Sequence, residues 1–333
     1  RARKGEYLPF LNLAGGAGIE KPGRYTRNGA VEESLNVKDN TRFPEPLNDY
    51  MFGVNASWEL DVWKKLRNSK KAAVMEYMAT QEGKNYLVTN LVAEVANSYY
   101  ELIALDSQLK NLEQNIEIQK NALKIVTLLK ESARTTQLAV KRFEAEVQKN
   151  QSEIYNLKQE IVETENKINF LVGHTPQTIL RNSDNFINLQ PKVVNMGLPS
   201  DLLENRPDIK QAQLELEAAK LNIKVAKANF YPQFGLKAGL GYEAFNPKFL
   251  LNTPQSLLYS VVGDAFMPLV NRNAIKATYK TANAKQIQTV YEYEQTVLKA
   301  YTEVVNQLSK IDNLEHSFKL KNMQVTALNE SIE

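Results

Sequence analysis

The chain has 333 residues, with 41 Lys and Arg against 38 Asp and Glu, a formal charge of +3, and 24% of its residues are charged. Without cysteine it carries no disulfide, thiolate metal site, iron–sulfur cluster or cysteine nucleophile, and its two histidines, His174 and His316, stand far apart in sequence. No run approaches the roughly 18 consecutive apolar residues of a membrane-spanning helix, a β-barrel is not excluded because its signal per segment is weak, and the small, evenly spread positive balance does not point to nucleic acid.

At roughly 150 residues per domain, the length suggests about two domains. The chain opens at Arg1 with no initiator methionine and no signal-peptide pattern, and closes at Glu333 inside a helical pattern. It reads as an internal piece of a longer protein. Residues 52–63 alternate, with Phe52, Val54, Ala56, Trp58 and Leu60 on one face, the period of a half-exposed strand. Residues 84–131 carry a heptad: Val95, Leu102, Leu109, Ile116 and Leu123 recur every seven, joined by Leu105, Leu112 and Val126 and interrupted by Ser98 and Gln119. A second heptad fills 138–171 with Val140, Val147, Ile154, Ile161 and Ile168, interleaved with Phe143, Leu157 and Leu171; Asn150 and Thr164 are its polar exceptions. Such repeats predict long helices packed along seams. The polar exceptions either face a watery lumen or set register.

The two seams are out of register, so the helix must turn within 131–138, with Thr135 or Thr136 as the N-cap of the returning helix. Gly173 and Pro176 then close the second helix. Ser200 is placed to cap a further helix whose pattern passes Arg206-Pro207-Asp208, Pro207 being either a kink or the first turn of a new helix. Strand-like alternation returns at 230–243 and 256–267, and a last helix begins near Ala274, with Val290, Val297, Val304 and Ile311 seven apart.

Self-comparison organises these elements. Pro9, Leu13, Gly16, Gly18 and Glu20 align with Pro232, Leu236, Gly239, Gly241 and Glu243. A second alignment, shifted by 209, sets Lys71 on Lys280, Thr80 on Thr289, and Glu94, Val95 and Asn97 on Glu303, Val304 and Asn306. Each half therefore reads strand, loop, strand, long helix. About four strands cannot close a barrel, and open edges in a bilayer leave backbone groups unsatisfied at several kcal/mol each. Strands that enter a membrane must then be pooled between copies, two chains making eight and three making twelve.

Three stretches resemble the TolC-like outer-membrane efflux proteins, in particular their OprM/NodT branch: Ala56–Trp63 (ASWELDVW), Gly197–Asp208 (GLPSDLLENRPD) and Ala228–Pro232 (ANFYP). The resemblance covers essentially the whole chain. It implies an α+β, mainly α fold with internal duplication: long coiled-coil helices of a periplasmic α-barrel, and four strands per chain in a twelve-stranded transmembrane β-barrel shared by a homotrimer. It implies a passive exit duct in outer-membrane lipid with a periplasmic extension, docked through a periplasmic adaptor (membrane fusion) protein to an inner-membrane efflux pump, as in multidrug export. No enzyme activity, cofactor or metal is implied, and any lipid-bearing cysteine of this branch lies before Arg1. The expected segments are 6–62 for a first β-hairpin, 64–173 for a helix pair, 174–199 for an equatorial stretch, 200–229 for a helix, 230–270 for a second hairpin and 272–333 for a long helix.

The resemblance makes the turn Ser132, Ala133, Arg134, Thr135, Thr136, Gln137 and Leu138 an adaptor-docking tip, against the plainer reading of a solvated hairpin; the family's Gly and Leu-Asp pair are missing there. Leu198, Pro199, Ser200, Asp201, Arg206, Pro207 and Asp208 form a family motif read as structural, Arg206 binding a neighbouring carboxylate or helix end. Trp58 is either a membrane-interface anchor or a packing residue, and Trp63 packs where strand meets helix. The glycine runs at 15, 16, 18 and 235, 239, 241 lack the lysine and helix start of a phosphate loop and fit curved strands. The alternatives are a periplasmic adaptor-like protein, which needs a separate all-β module, and a structural coiled-coil protein without a pore.

Overall fold

The computed structural model describes residues 5–38, 41–181, 204–270 and 272–331. Strand β1 (Phe10–Glu20) is followed by helix α1 (Arg27–Ser34), the short strands β2 (Asn36–Lys38) and β3 (Thr41–Arg42), and β4 (Leu47–Leu60). Helices α2 (Lys65–Glu131) and α3 (Gln137–Val172) come next, then α4 (Pro207–Ala228), β5 (Gln233–Ala244), β6 (Leu257–Phe266) and α5 (Asn273–Glu330). The chain divides into two units, Arg1–Glu82 with Leu202–Glu333, and Gly83–Asp201.

The first unit holds one antiparallel sheet in the order β1-β4-β5-β6, together with α4 and α5. Among the described residues no separate all-β module forms. The two hairpins, β1·β4 and β5·β6, are copies in register as well as in sequence. Phe10 faces Ser57 in the first, and Gln233 faces Phe266 in the second. Gln233 lies 223 residues after Phe10, the offset of the glycine-rich strands, and Phe266 lies 209 after Ser57, the offset of the helices. The 14-residue difference between these offsets sits in the hairpin connections: 26 residues at 21–46 against 12 at 245–256. The extra chain forms α1 and the β2·β3 ribbon. Thr26 caps α1 by accepting from the Gly29 N–H, and a Cβ on Gly29 would lie 2.2 Å from the Gly23 carbonyl, so only glycine fits.

Helix α4 begins where a proline belongs, with Pro207 at its first position. Its buried face is Ile209, Ala212, Ala218, Ala219, Ala226 and Ala228, small side chains that let it lie close along α5. Pro199, Ser200, Asp201 and Leu198 lie outside the described residues.

In the second unit, residues 83–131 of α2 and the whole of α3 form a helical hairpin. The seam residues Leu102, Leu105, Ile116, Val147, Leu157 and Ile168 are buried. Phe143, nearer the turn, is 40% exposed, so the seam opens towards the tip. Thr164 is buried, and Asn150 donates to Gln119 Oε1 at 2.9 Å, so the polar exceptions of the two seams find each other. This favours a register role for Asn150. Replacing Gln119 or Asn150 alone by leucine should cost on the order of 1 kcal/mol, because a half-buried amide loses its partner, while the double replacement should be near neutral or stabilising. Urea unfolding of the four variants by circular dichroism measures the difference.

Candidate channel-forming sheet and helix tip

Residues opposite each other in an antiparallel ladder share a face, and faces alternate along each strand. The observed registers therefore sort every strand residue. One face carries Leu11, Leu13 and Ile19 from β1; Tyr50, Phe52, Val54, Ala56, Trp58 and Leu60 from β4, with Asn48 at its end as the one polar side chain; Phe234, Leu236, Ala238, Leu240 and Tyr242 from β5; and Leu257, Tyr259 and Val261 from β6. The other carries all six charged residues of the four strands: Glu20, Asp49, Glu59, Lys237, Glu243 and Asp264. Asn12, Asn55, Ser57, Gln233 and Ser260 join them, along with glycines in the middle rows.

Some of the strand glycines are needed for packing. On the polar face Gly53 and Gly241 stand opposite, and a Cβ on Gly53 would lie 2.8 Å from the Gly241 Cα. A sheet curved towards that face crowds its side chains there, which is where glycine is needed.

The apolar face is banded. Tyr50, Phe52 and Tyr242 lie towards the hairpin connections, with Phe52 and Tyr242 stacked at 5.5 Å between ring centroids. Trp58 and Phe234 lie towards the helices, and between the two bands the residues are aliphatic or small except for Tyr259 of β6. Strands of ten to fourteen residues cover the 9–11 that a tilted transmembrane strand requires. The indole N–H of Trp58 donates to the Tyr7 carbonyl at 3.0 Å. Trp63 lies past the strand end, stacked on Tyr231 and donating to the Pro232 carbonyl at 2.8 Å, the packing role expected of it.

Asp61, which sequence reasoning missed, ties β4 to α2. Its carboxylate accepts from the Leu66 and Arg67 N–H groups, both at 2.9 Å, and from the Arg67 guanidinium at 3.0 Å. Burial works to raise its pKa, but the backbone donors of Arg67 and Leu66 and the Arg67 charge outweigh burial and hold it below the ordinary value. The latch thus contributes above the unfolded-state pKa and is lost only as pH falls through the lowered one. Its only sequence signal was an Asp a few residues ahead of a helix.

At the helical tip, α2 ends in a Schellman arrangement: Arg134 N–H donates to the Leu129 carbonyl, and Ala133 N–H to Lys130. Ala133 occupies the left-handed position at φ 57°, where glycine is usual. Thr136 caps α3 by accepting from the Ala139 N–H. Ser132, Ala133, Arg134, Thr136, Gln137 and Leu138 are exposed, Leu138 by 70%. In the family motif, Arg206 binds Asp208 through two hydrogen bonds, 3.0 and 2.7 Å, and Glu303 of α5 at 2.9 Å. Glu303 is the repeat-equivalent of Glu94, which pairs with Lys167 of α3. Both copies of this glutamate therefore hold a basic side chain, Lys167 from within α3 and Arg206 from the residue that precedes α4. Arg181 was also missed; it clasps Asp106 and Glu165.

Among the described residues no helix is long and apolar enough to cross a membrane, and no group of three His, Asp or Glu could hold a metal ion. Among the described residues nothing pairs with the sheet edges, β1 and β6.

A family model described as outer membrane efflux protein matches residues 1–174 and 198–333. The chain belongs to that family. The cation efflux system protein CusC of Escherichia coli K12 is 27% identical over 303 residues, covering 90% of this chain and 65% of CusC. The pyoverdine export outer membrane protein OpmQ of Pseudomonas putida is 25% identical over 320 residues, covering 96% and 66%. A crystal structure of CusC superposes with a TM-score of 0.81 at 26% identity, covering 98% of this chain and 72% of that one. The outer-membrane channel OprN gives 0.79 at 22% identity, covering 92% and 66%. The chain spans just under two thirds of the length of these curated relatives. The expected fold class, mainly helical with long coiled helices and a duplicated strand–helix unit, is that of these channels.

Two neighbouring residues of β6 test the assignment of faces. Val261→Arg puts a charge on the apolar face and should cost about 2–4 kcal/mol at mid-membrane, seen as loss of protein from outer-membrane fractions. Val262→Arg, on the polar face, should leave that amount close to wild type.

Proposed function

We propose that three copies of this chain pool their sheets into a twelve-stranded outer-membrane barrel, continued by their long helices as a periplasmic tube, and that the assembly is a passive exit duct. The observation that carries this reading is the sheet itself: one face apolar except for Asn48 at the end of β4 and rich in aromatics, the other holding every charge of the strands, and both edges without a partner among the described residues. A bilayer tolerates such a sheet only when it is closed. The helices support the same reading. Beyond residue 308 every described residue of α5 is exposed, including Leu314, Phe318, Leu320, Met323 and Leu328, a surface that adjoining helices would cover.

In this assembly Trp58 sits at the headgroup level on the periplasmic side, its N–H already satisfied by Tyr7. The tip from Ser132 to Leu138 is the adaptor-docking surface, and an inner-membrane pump supplies the energy. The duct performs no chemistry. Relatives named for cation efflux and for pyoverdine export are similar to this chain throughout, so the identity of the cargo belongs to the pump. The duct's own selectivity comes from width and wall charge. Five of the six charged strand residues are acidic, which makes the barrel section favour cations.

The protein extracted from outer membranes should run as a detergent-stable trimer by light scattering. In planar bilayers it should conduct with a reversal potential on the cation side in a salt gradient. A monodisperse monomer soluble without detergent, or an anion-selective pore, would contradict this reading.

A further inference from the structure

The internal repeat carries more than the number of strands; it contains a template for the contact between copies. Resting on the trimeric reading above, we infer that β6 of one copy pairs with β1 of the next in a single register, with Phe266 opposite Ala14 of the partner subunit.

The template is the junction between the two hairpins of one chain. There β4 pairs with β5, Ser57 facing Lys237 and Gly53 facing Gly241. Since β6 is the copy of β4 at an offset of 209 and β1 the copy of β5 at 223, the equivalent junction joins β6 to a second β1. Carrying the offsets through sets Phe266 opposite Ala14 of the partner subunit, Asp264 opposite Gly16 of the partner subunit, and Val262 opposite Gly18 of the partner subunit. The exposed edges agree. Glu243 N–H donates to the Ser256 carbonyl at 3.0 Å. By the alternation of antiparallel ladders, the even-numbered residues of β6 then bond inward to β5, and the odd-numbered ones present free amides and carbonyls outward. The same equivalence leaves the odd-numbered residues of β1 outward. The inferred register sets odd against odd, so Val261 meets Ile19 of the partner subunit and Gly263 meets Ala17 of the partner subunit in hydrogen-bonded pairs. It also keeps the apolar face continuous. A slip of one residue would turn the apolar face of one copy against the polar face of the next. A slip of two keeps the faces but abandons the repeat.

The chain has no cysteine, so any disulfide is an engineered one. Ala14 and Phe266 form a non-hydrogen-bonded pair in this register, with Cα atoms about 4.5 Å apart, a separation a disulfide can bridge. The full protein carrying Ala14→Cys with Phe266→Cys, oxidised in outer-membrane fractions, should give covalent trimers on non-reducing gels. Gly18→Cys with Val262→Cys should do the same and guards against a single variant that misfolds. The two-residue slips, Asn12→Cys or Gly16→Cys with Phe266→Cys, should link at least tenfold less. Preferential linking of a slipped pair overturns the register, as does the absence of any link in a protein that light scattering shows to be a trimer. A monomer by light scattering sinks the trimeric reading itself.

Discussion

A sheet edge in lipid has nowhere to put its backbone hydrogen bonds, and the rest of this structure depends on how that constraint is met. Water satisfies an edge strand at a protein surface; hydrocarbon does not, at several kcal/mol for each orphaned group. Here β1 and β6 both end the sheet openly, although the face they belong to is as apolar as a transmembrane wall. Neither α4 nor α5 lies over that face as a core would require, since Leu11, Leu13, Leu240, Tyr259 and Val261 are exposed in the single chain. Closure by further copies resolves the edges and the apolar face together. The same closure gives the polar face its role, because the inside of a barrel is where water and charge can remain.

Duplication makes such a closure economical in information. The two hairpins share one register, and their helices share one offset, so a ring of three chains is close to a ring of six equivalent units. The equivalence extends to detail: Glu94 and Glu303 each hold a basic side chain from a neighbouring segment, Lys167 and Arg206. The copies differ in the hairpin connections and at the strand–helix joints. Asp61 latches the start of α2, whereas α5 begins after Arg272 without a side-chain cap. The 14 additional residues of the first connection fold on themselves as α1 and a ribbon, which leaves the strand registers unchanged.

Much of this was legible in the sequence because period and repeat are global signals. Heptads over dozens of residues place a helix pair with little ambiguity, and the alternation of Phe52 to Leu60 and Phe234 to Leu240 marks the apolar face directly. What stayed hidden was local or long-range. The turn at the helical tip uses Ala133 in a left-handed conformation, and alanine carries no turn signal. The strand carrying Phe52 begins at Leu47, and its first residues were hidden because Asn48 breaks the apolar alternation although the ladder with β1 continues through it. The Asp61–Arg67 latch and the Arg181 clasp are ion pairs whose partners, in the second case 75 and 16 residues away, are chosen by the fold. No spacing rule would find them. The seam polar residues show the intermediate case: Gln119 and Asn150 each looked like an interruption, and only the hairpin showed that they were one interaction.

The most direct measurement of whether this sheet is a membrane wall is a spin-label scan along β5, one cysteine at a time through residues 233–244 of the otherwise cysteine-free protein in lipid. Labels at 234, 236, 238, 240 and 242 should be relaxed by oxygen, which partitions into hydrocarbon, and those at 235, 237, 239, 241 and 243 by a water-soluble nickel chelate. The two profiles should run out of phase with a period of two. In-phase profiles, or chelate access at 236, 238 and 240, would contradict a lipid-facing sheet and with it the shared barrel.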